Sequence, residues 1–205
     1  EYDSEEQDDD VESFSDQDAL ERFLKNRSAD DLEWERGRLL EMIGRLKMLT
    51  ETPSKILTLL RTLEKRREGD RLRQTVLFTR YMDTLTDILR HLCSREAALR
   101  IGIYRGKRCE YFDASNGRRK GTDREGVKRR FLRGEIDLLL CTDAAAEGLN
   151  LQTADLLINF DLPWNPMKVE QRIGRIDRIG QKHDEINVLN MCVLGSVEEA
   201  IYERL

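Results

Sequence analysis

From Thr75 onward, short apolar runs alternate with segments whose apolar residues recur every three or four positions. Thr75-Val-Leu-Phe-Thr79, Leu99–Tyr104, Ile136-Asp-Leu-Leu-Leu-Cys141, Leu156-Leu-Ile-Asn159 and Ile186–Val193 read as five strands. Met82–Leu92, Asp123–Leu132, Met167–Arg178 and Ser196–Leu205 read as the intervening and closing helices. Strands that are apolar throughout, each followed by a crossover, predict an α/β fold with a parallel sheet covered by helices on both faces. In such a sheet the functional loops gather at the carboxyl ends of the strands.

Upstream of Asp70 the pattern is helical. Ser15 with Asp18 resembles a capping box for a helix to Lys25, with Leu20, Phe23 and Leu24 on one face. Ser28 with Asp31 caps a second helix from Ala29 to Leu49, whose apolar stripe is Leu32, Leu39, Ile43 and Leu46. Thr52-Pro53 restarts a helix with the stripe Ile56, Leu60 and Leu63, and it dissolves in the charged run Glu64 to Asp70. The division expected is an acidic flexible segment at 1–14, a helical linker or the end of an inserted region at 15–51, and an α/β lobe at 52–205.

Charge changes the picture of possible partners. The chain has a net charge of −5, but residues 1–21 hold eleven acids and no Lys or Arg. Removing those eleven leaves residues 22–205 at +6, so the globular part is basic and a nucleic-acid partner is open. No apolar run reaches the ~18–20 residues of a membrane helix. The acidic start predicts no signal peptide, and the absence of an initial Met reads as a piece of a larger protein. Four scattered cysteines without a CxxC pair, and only two histidines, argue against a disulfide framework and a metal centre.

Three segments carry candidate chemistry. In Gln171-Arg-Ile-Gly-Arg175-Ile-Asp-Arg178-Ile-Gly-Gln181, a helix would put Gln171, Arg175 and Arg178 on one polar stripe. Val169, Ile173 and Ile176 would form the docking face opposite. Two neighbouring guanidiniums repel, and an anion between them compensates. In Leu138-Leu-Leu-Cys-Thr142-Asp143-Ala-Ala-Ala-Glu147-Gly148-Leu-Asn150-Leu151-Gln152, an apolar strand delivers Thr142 and Asp143 to its carboxyl end, where a ligand should sit. Val76-Leu-Phe-Thr79-Arg80-Tyr81 ends in a hydroxyl and a cation suited to a phosphate.

In this order and spacing the three segments resemble motifs IV, V and VI in the second RecA-like lobe of superfamily-2 helicases. The finer resemblance is to the Swi/Snf-type translocases, in the bacterial RapA-like branch. Their last motif reads Gln-x-x-x-Arg-x-x-Arg-Ile-Gly-Gln, and the lead-in Asn159-Phe-Asp-Leu-Pro-Trp-Asn-Pro166 is also typical. The resemblance covers about Thr52 to Leu205. It implies the C-terminal RecA-like lobe of an ATP-dependent double-stranded-DNA translocase or remodeller. Arg175 and Arg178 would be arginine fingers. Gln171, Gly148 and Asn150 would border the nucleotide. Thr79, Arg80, Thr142 and Asp143 would lie along the nucleic-acid track, with Asp143 serving loop order. ATP and Mg2+ would be held mainly by an N-terminal RecA-like lobe, because this chain has no Gly-x-x-x-x-Gly-Lys-Ser/Thr cradle. Double-stranded DNA and another protein being remodelled are the further partners implied. The setting is the cytoplasm of a bacterium, or the nucleus of a eukaryote.

The sequence departs from that pattern between Gly106 and Arg124, which the family places close together. Lys107 to Asp123 reads as an insertion. Residues 95–133 hold thirteen Lys or Arg against five acids, with Tyr104, Tyr111 and Phe112 interleaved. Arg118, Arg119 and Lys120 are candidates for duplex-backbone contact; a solvated surface loop is the other reading. An RNA helicase lobe and a non-catalytic nucleic-acid or protein interaction module stand as alternatives for the whole.

Overall fold

The computed structural model describes residues 28–49, 51–95, 99–106, 108–113, 117–143 and 149–203. The acidic segment, the helix expected from Ser15, and Gly148 lie outside the described residues. The chain divides into two units, residues 1–52 and 53–205.

In the first unit, helix α1 spans Ala29–Lys47. The Ser28–Asp31 capping box forms: the Asp31 N–H donates to Ser28 Oγ at 3.1 Å, and the Ser28 N–H to Asp31 Oδ2 at 3.3 Å. Glu41 pairs with Arg38 and Arg45 along the surface. No residue of α1 is buried, so Leu39, Ile43 and Leu46 all face outward.

The second unit opens with α2, Ser54–Glu64. Pro53 is its N-cap, and Ile56, Leu59 and Leu63 are its buried residues. The expected stripe is therefore off by one position: Leu59 is buried, while Leu60 is half-buried. The helix ends at Glu64, at the charged run as expected. That run folds as a small hairpin, β1 (Arg67–Glu68) and β2 (Arg71–Leu72), turning at Gly69 with φ 63°. Its arginines explain why so charged a run is ordered. Arg71 and Arg100 pair with the buried Asp137, and Arg66 and Arg73 with the buried Asp155. Burial raises the Asp137 carboxyl above its ordinary value, and Arg100 pulls it only partly back.

The main sheet has seven strands: β3 (Thr75–Thr79), β4 (Ile101–Arg105), β5 (Arg108–Phe112), β6 (Arg119–Thr122), β7 (Leu138–Thr142), β8 (Leu156–Asn159) and β9 (Asn187–Asn190). Their order is β6-β5-β4-β7-β3-β8-β9. The five strands from β4 to β9 in that order are parallel, as the apolar runs predict. Four helices complete the unit after α2: α3 (Met82–Arg95), α4 (Arg124–Leu132), α5 (Pro166–Ile173) and α6 (Val197–Tyr202). Two apolar clusters form the core. One gathers α2 and α3 with Leu77, Ile103, Leu140 and Ile158; the other gathers α4 with Val76, Leu139, Leu157 and Ile176. Successive strand residues feed alternate clusters, so β3, β7 and β8 are buried throughout, while the edge strand β9 is exposed at Asn187 and Val188.

The sheet is mixed rather than purely parallel because the insertion adds β5 and β6 as an antiparallel hairpin on the β4 edge. Arg124 Nε donates to the Gly106 carbonyl at 2.9 Å, so the two family positions separated in sequence meet in space. Alternation explains the strand state of β5. Cys109 and Tyr111 join the α4 cluster, while Phe112 packs on the opposite one. Gly126 permits the close return into α4, since a Cβ there would lie 2.1 Å from Thr122 Oγ1. Among the described residues no helix is long and apolar enough to cross a membrane.

Candidate functional site

The strand register aligns the candidate chemistry. Thr79 pairs with Thr142 across β3 and β7, and Phe78 pairs with Asn159 across β3 and β8. The carboxyl ends of three neighbouring strands thus present Thr79, Thr142-Asp143 and Asn159 to Asp161 side by side.

Asp161 joins two of these ends. Its carboxylate accepts from the Thr79 hydroxyl and, at 3.4 Å, from the Arg80 N–H. Lys55 of α2 approaches the same carboxylate at 3.9 Å. Arg80 lies 5.4 Å from the Tyr81 ring centroid. Asn159 passes the alignment to β9, donating to Asn190 Oδ1 at 2.7 Å.

Asp143 is held by a residue that the motif reading left without a role. Arg172, on α5 and only 3% exposed, donates to both Asp143 oxygens at 2.7 and 2.8 Å. Its remaining terminal nitrogen donates to Asn159 Oδ1 at 2.8 Å and to the Asp161 carbonyl at 3.0 Å. A signal for it was present: Arg172 follows the core-facing Val169 by three positions, so it shares the buried face of the helix.

The helix expected from Met167 to Arg178 ends early, at Ile173. Asn165 caps its start, accepting from the Met167 N–H at 3.0 Å, with Pro166 in the first turn. Gly174 is the C-cap, and the next turns tighten: the Arg175 N–H reaches the Arg172 carbonyl and the Ile176 N–H the Ile173 carbonyl. Gln171, Arg175 and Arg178 therefore do not form one helical stripe. Gln171 stands exposed on the helix, and the two arginines stand on the loop after it. Of the expected docking face, Val169 and Ile176 are buried and Ile173 is half-buried.

That loop is fixed rather than loose. Ile176 is fully buried. Gln181 Nε2 donates to the Ile176 carbonyl at 2.8 Å and to the Ala154 carbonyl at 3.0 Å. The Leu151 N–H donates to the Arg175 carbonyl at 2.9 Å, which sets Arg175 against the Asn150 segment. Asn150 Nδ2 donates to Gln152 at 3.1 Å, while its buried Oδ1 has no partner among the described residues. Across the same residues, neither the Arg175 nor the Arg178 side chain makes a hydrogen bond or ion pair. By contrast Arg66, Arg71, Arg73, Arg100, Arg105, Arg119 and Arg172 each face a carboxylate.

The basic hairpin is elsewhere. Arg119 and Lys120 lie on β6, separated from β3 by three strands. Arg119 pairs with Glu110 and Lys120 with Asp113, and Arg118 precedes them exposed. Among the described residues no three His, Cys, Asp or Glu side chains are grouped to hold a metal ion.

Residues 54–180 match the family described as the helicase conserved C-terminal domain. An uncharacterized ATP-dependent helicase of Bacillus subtilis, YqhH, is 44% identical over 103 residues, covering 47% of this chain and 18% of that protein. The RNA polymerase-associated protein RapA of Vibrio vulnificus is 46% identical over 68 residues, covering 33% of this chain and 7% of that protein. The chain thus spans less than a fifth of these relatives' length. Among solved structures, the C-terminal part of the Fun30 ATPase domain aligns over 91% of this chain and 56% of its own, with TM-score 0.57 and 20% identity. The Pyrococcus furiosus Hef helicase domain aligns over 91% and 36%, with TM-score 0.58 and 19% identity. Both likenesses bear on the fold, which is the RecA-like one.

Proposed function

The chain belongs to the helicase conserved C-terminal domain family, and on that premise we propose that it is the C-terminal RecA-like lobe of an ATP-dependent motor acting on double-stranded DNA. An N-terminal RecA-like lobe holds most of the ATP, with magnesium supplying charge neutralisation at the phosphates when bound there. This chain contributes Arg175 and Arg178 as fingers, and Gln171, Gly148 and Asn150 at the border of the nucleotide. Thr79, Arg80, Thr142 and Asp143 line the nucleic-acid track. Arg118, Arg119 and Lys120 extend the contact along a duplex backbone.

One observation carries the reading. In a domain where arginine charge is repeatedly matched by carboxylate, Arg175 and Arg178 sit unmatched among the described residues, on a loop pinned by Gln181, Leu151 and Ile176. A fixed guanidinium without a partner is suited to charge that arrives on another molecule and grows during phosphoryl transfer. The buried Asn150 Oδ1 beside that loop, without a partner among the described residues, supports the same surface as an acceptor open to a donor.

A protein engaged on the DNA is the proposed object of remodelling, in line with the RapA relatives, which are named as RNA polymerase-associated. The proposed setting is a bacterial cytoplasm. ATP turnover of the two-lobed protein, titrated with duplex DNA and separately with RNA, tests the assignment. Stimulation by duplex DNA is expected. Stimulation by RNA alone would point to an RNA helicase lobe, and no turnover at all to a non-catalytic module.

A further inference from the structure

Among the described residues, the predicted track residues and the finger loop meet at Arg172. Its partners come from three strand ends: Asp143 after β7, Asn159 and Asp161 at β8, and the Phe78 ring of β3, whose centroid lies 5.4 Å from the guanidinium carbon. Asp161 extends the connection to Thr79 and the Arg80 backbone. On its own helix, the Arg172 carbonyl receives the Arg175 N–H at 3.0 Å. Both the side chain and the backbone of one residue are thus committed, the first to the strand ends and the second to the loop.

Neutralising the half-buried Asp143 would need a single cation at any angle. Here a planar fork engages both carboxylate oxygens while its third nitrogen bridges β8. Such a contact is directional and tolerates little sliding. A shift of the β7 end relative to β8 must either carry α5 along or break the pair. Such a contact is made or broken rather than gradually strained, which suits an element that couples two sites.

The geometry points to Arg172 as a positioning residue that transmits occupancy of the strand ends by nucleic acid to the Arg175–Arg178 loop, so that ATP hydrolysis responds to the bound strand. This inference rests on the motor reading given above. Arg172 touches neither ligand; it acts through Asp143 on one side and Arg175 on the other.

The test uses the two-lobed protein and reads the ratio of ATP turnover with and without saturating duplex DNA. Arg172→Lys keeps the charge and loses the fork; Asn159→Ala leaves the Asp143 pair in place and removes the bridge to β8. In both variants the stimulated kcat should fall about tenfold, the size of a typical coupling between sites. The stimulation ratio should fall with it, while the KM for ATP and the duplex affinity measured without ATP stay within about twofold. Thermal melting checks that each variant is folded; if Arg172→Lys does not fold, Asn159→Ala carries the test. Folded variants with an unchanged ratio, whether both rates fall together or neither does, would make the clamp a structural staple and overturn the inference. Failure of the motor reading looks different: the wild-type protein itself would lack turnover, and both proposals would fall together.

Discussion

Two isoleucines in the last motif stand three residues apart and differ completely in exposure. Ile176 is 0% exposed and Ile179 is 98% exposed. A helix continuing to Arg178 would have put them on neighbouring faces, whereas the turn after Gly174 drives one into the core and the other into solvent. Replacing Ile176 by Ala deletes three buried carbons, worth about 2.5 kcal/mol in transfer free energy. The residual cavity between Val76, Leu157 and their neighbours raises the total to about 3 kcal/mol. Ile179→Ala deletes the same carbons from water and should stay within about 0.5 kcal/mol. Urea unfolding of the 205-residue chain, followed by far-UV circular dichroism, reads both, with the midpoint shifting at constant slope for Ile176→Ala. Equal effects of the two substitutions would refute the placement of this loop, and with it the argument that the Arg175–Arg178 segment is rigid.

Other consequences follow from charge and burial. Burial pushes the Cys109 and Cys141 thiols up, Cys141 most strongly; iodoacetamide should modify exposed Cys93 first and reach Cys141 only on unfolding, as peptide mass spectrometry would show. If the hairpin touches a duplex, replacing Arg118, Arg119 and Lys120 by Ala should lower the salt slope of binding by up to about one unit per lost contact. An unchanged slope would return the hairpin to a solvated role. The isolated chain should show no ATP turnover above a buffer blank, with or without DNA; turnover that tracks the protein and vanishes in Arg178→Ala would contradict the division of labour between lobes.

The parallel core was legible because its strands are short apolar runs, and Leu156–Asn159 coincides with β8 residue for residue. The Ser28–Asp31 box was equally legible, since its two side chains answer each other within one turn. The hairpin at β5 and β6 was hidden by its charge. Cys109, Tyr111 and Phe112 carry its packing, and the Lys and Arg around them read as loop. Asn116-Gly117, with Gly117 at φ 64°, was the turn signal available there. The apolar spacing that continues through Ile176 predicts a longer helix than α5, which ends at Ile173. That spacing survives since Ile176 is still buried, but by a tight turn rather than by a further helical one. For Arg172 the three-residue spacing from Val169 marks the buried face, but only the strand ends around it reveal which groups take up its charge.

The central claim is that Arg178 meets nucleotide charge that grows in the transition state, and single-turnover ATP hydrolysis by the two-lobed protein tests it most directly. Arg178 is exposed and unpaired among the described residues, so Arg178→Ala should leave the fold and the affinity for ATP nearly unchanged. It should nonetheless slow hydrolysis by roughly 10³-fold or more, as loss of an arginine finger does. Arg178→Lys should recover little of that, because a point charge cannot reproduce the planar fork. A folded Arg178→Ala protein that hydrolyses ATP at the wild-type rate would contradict the account.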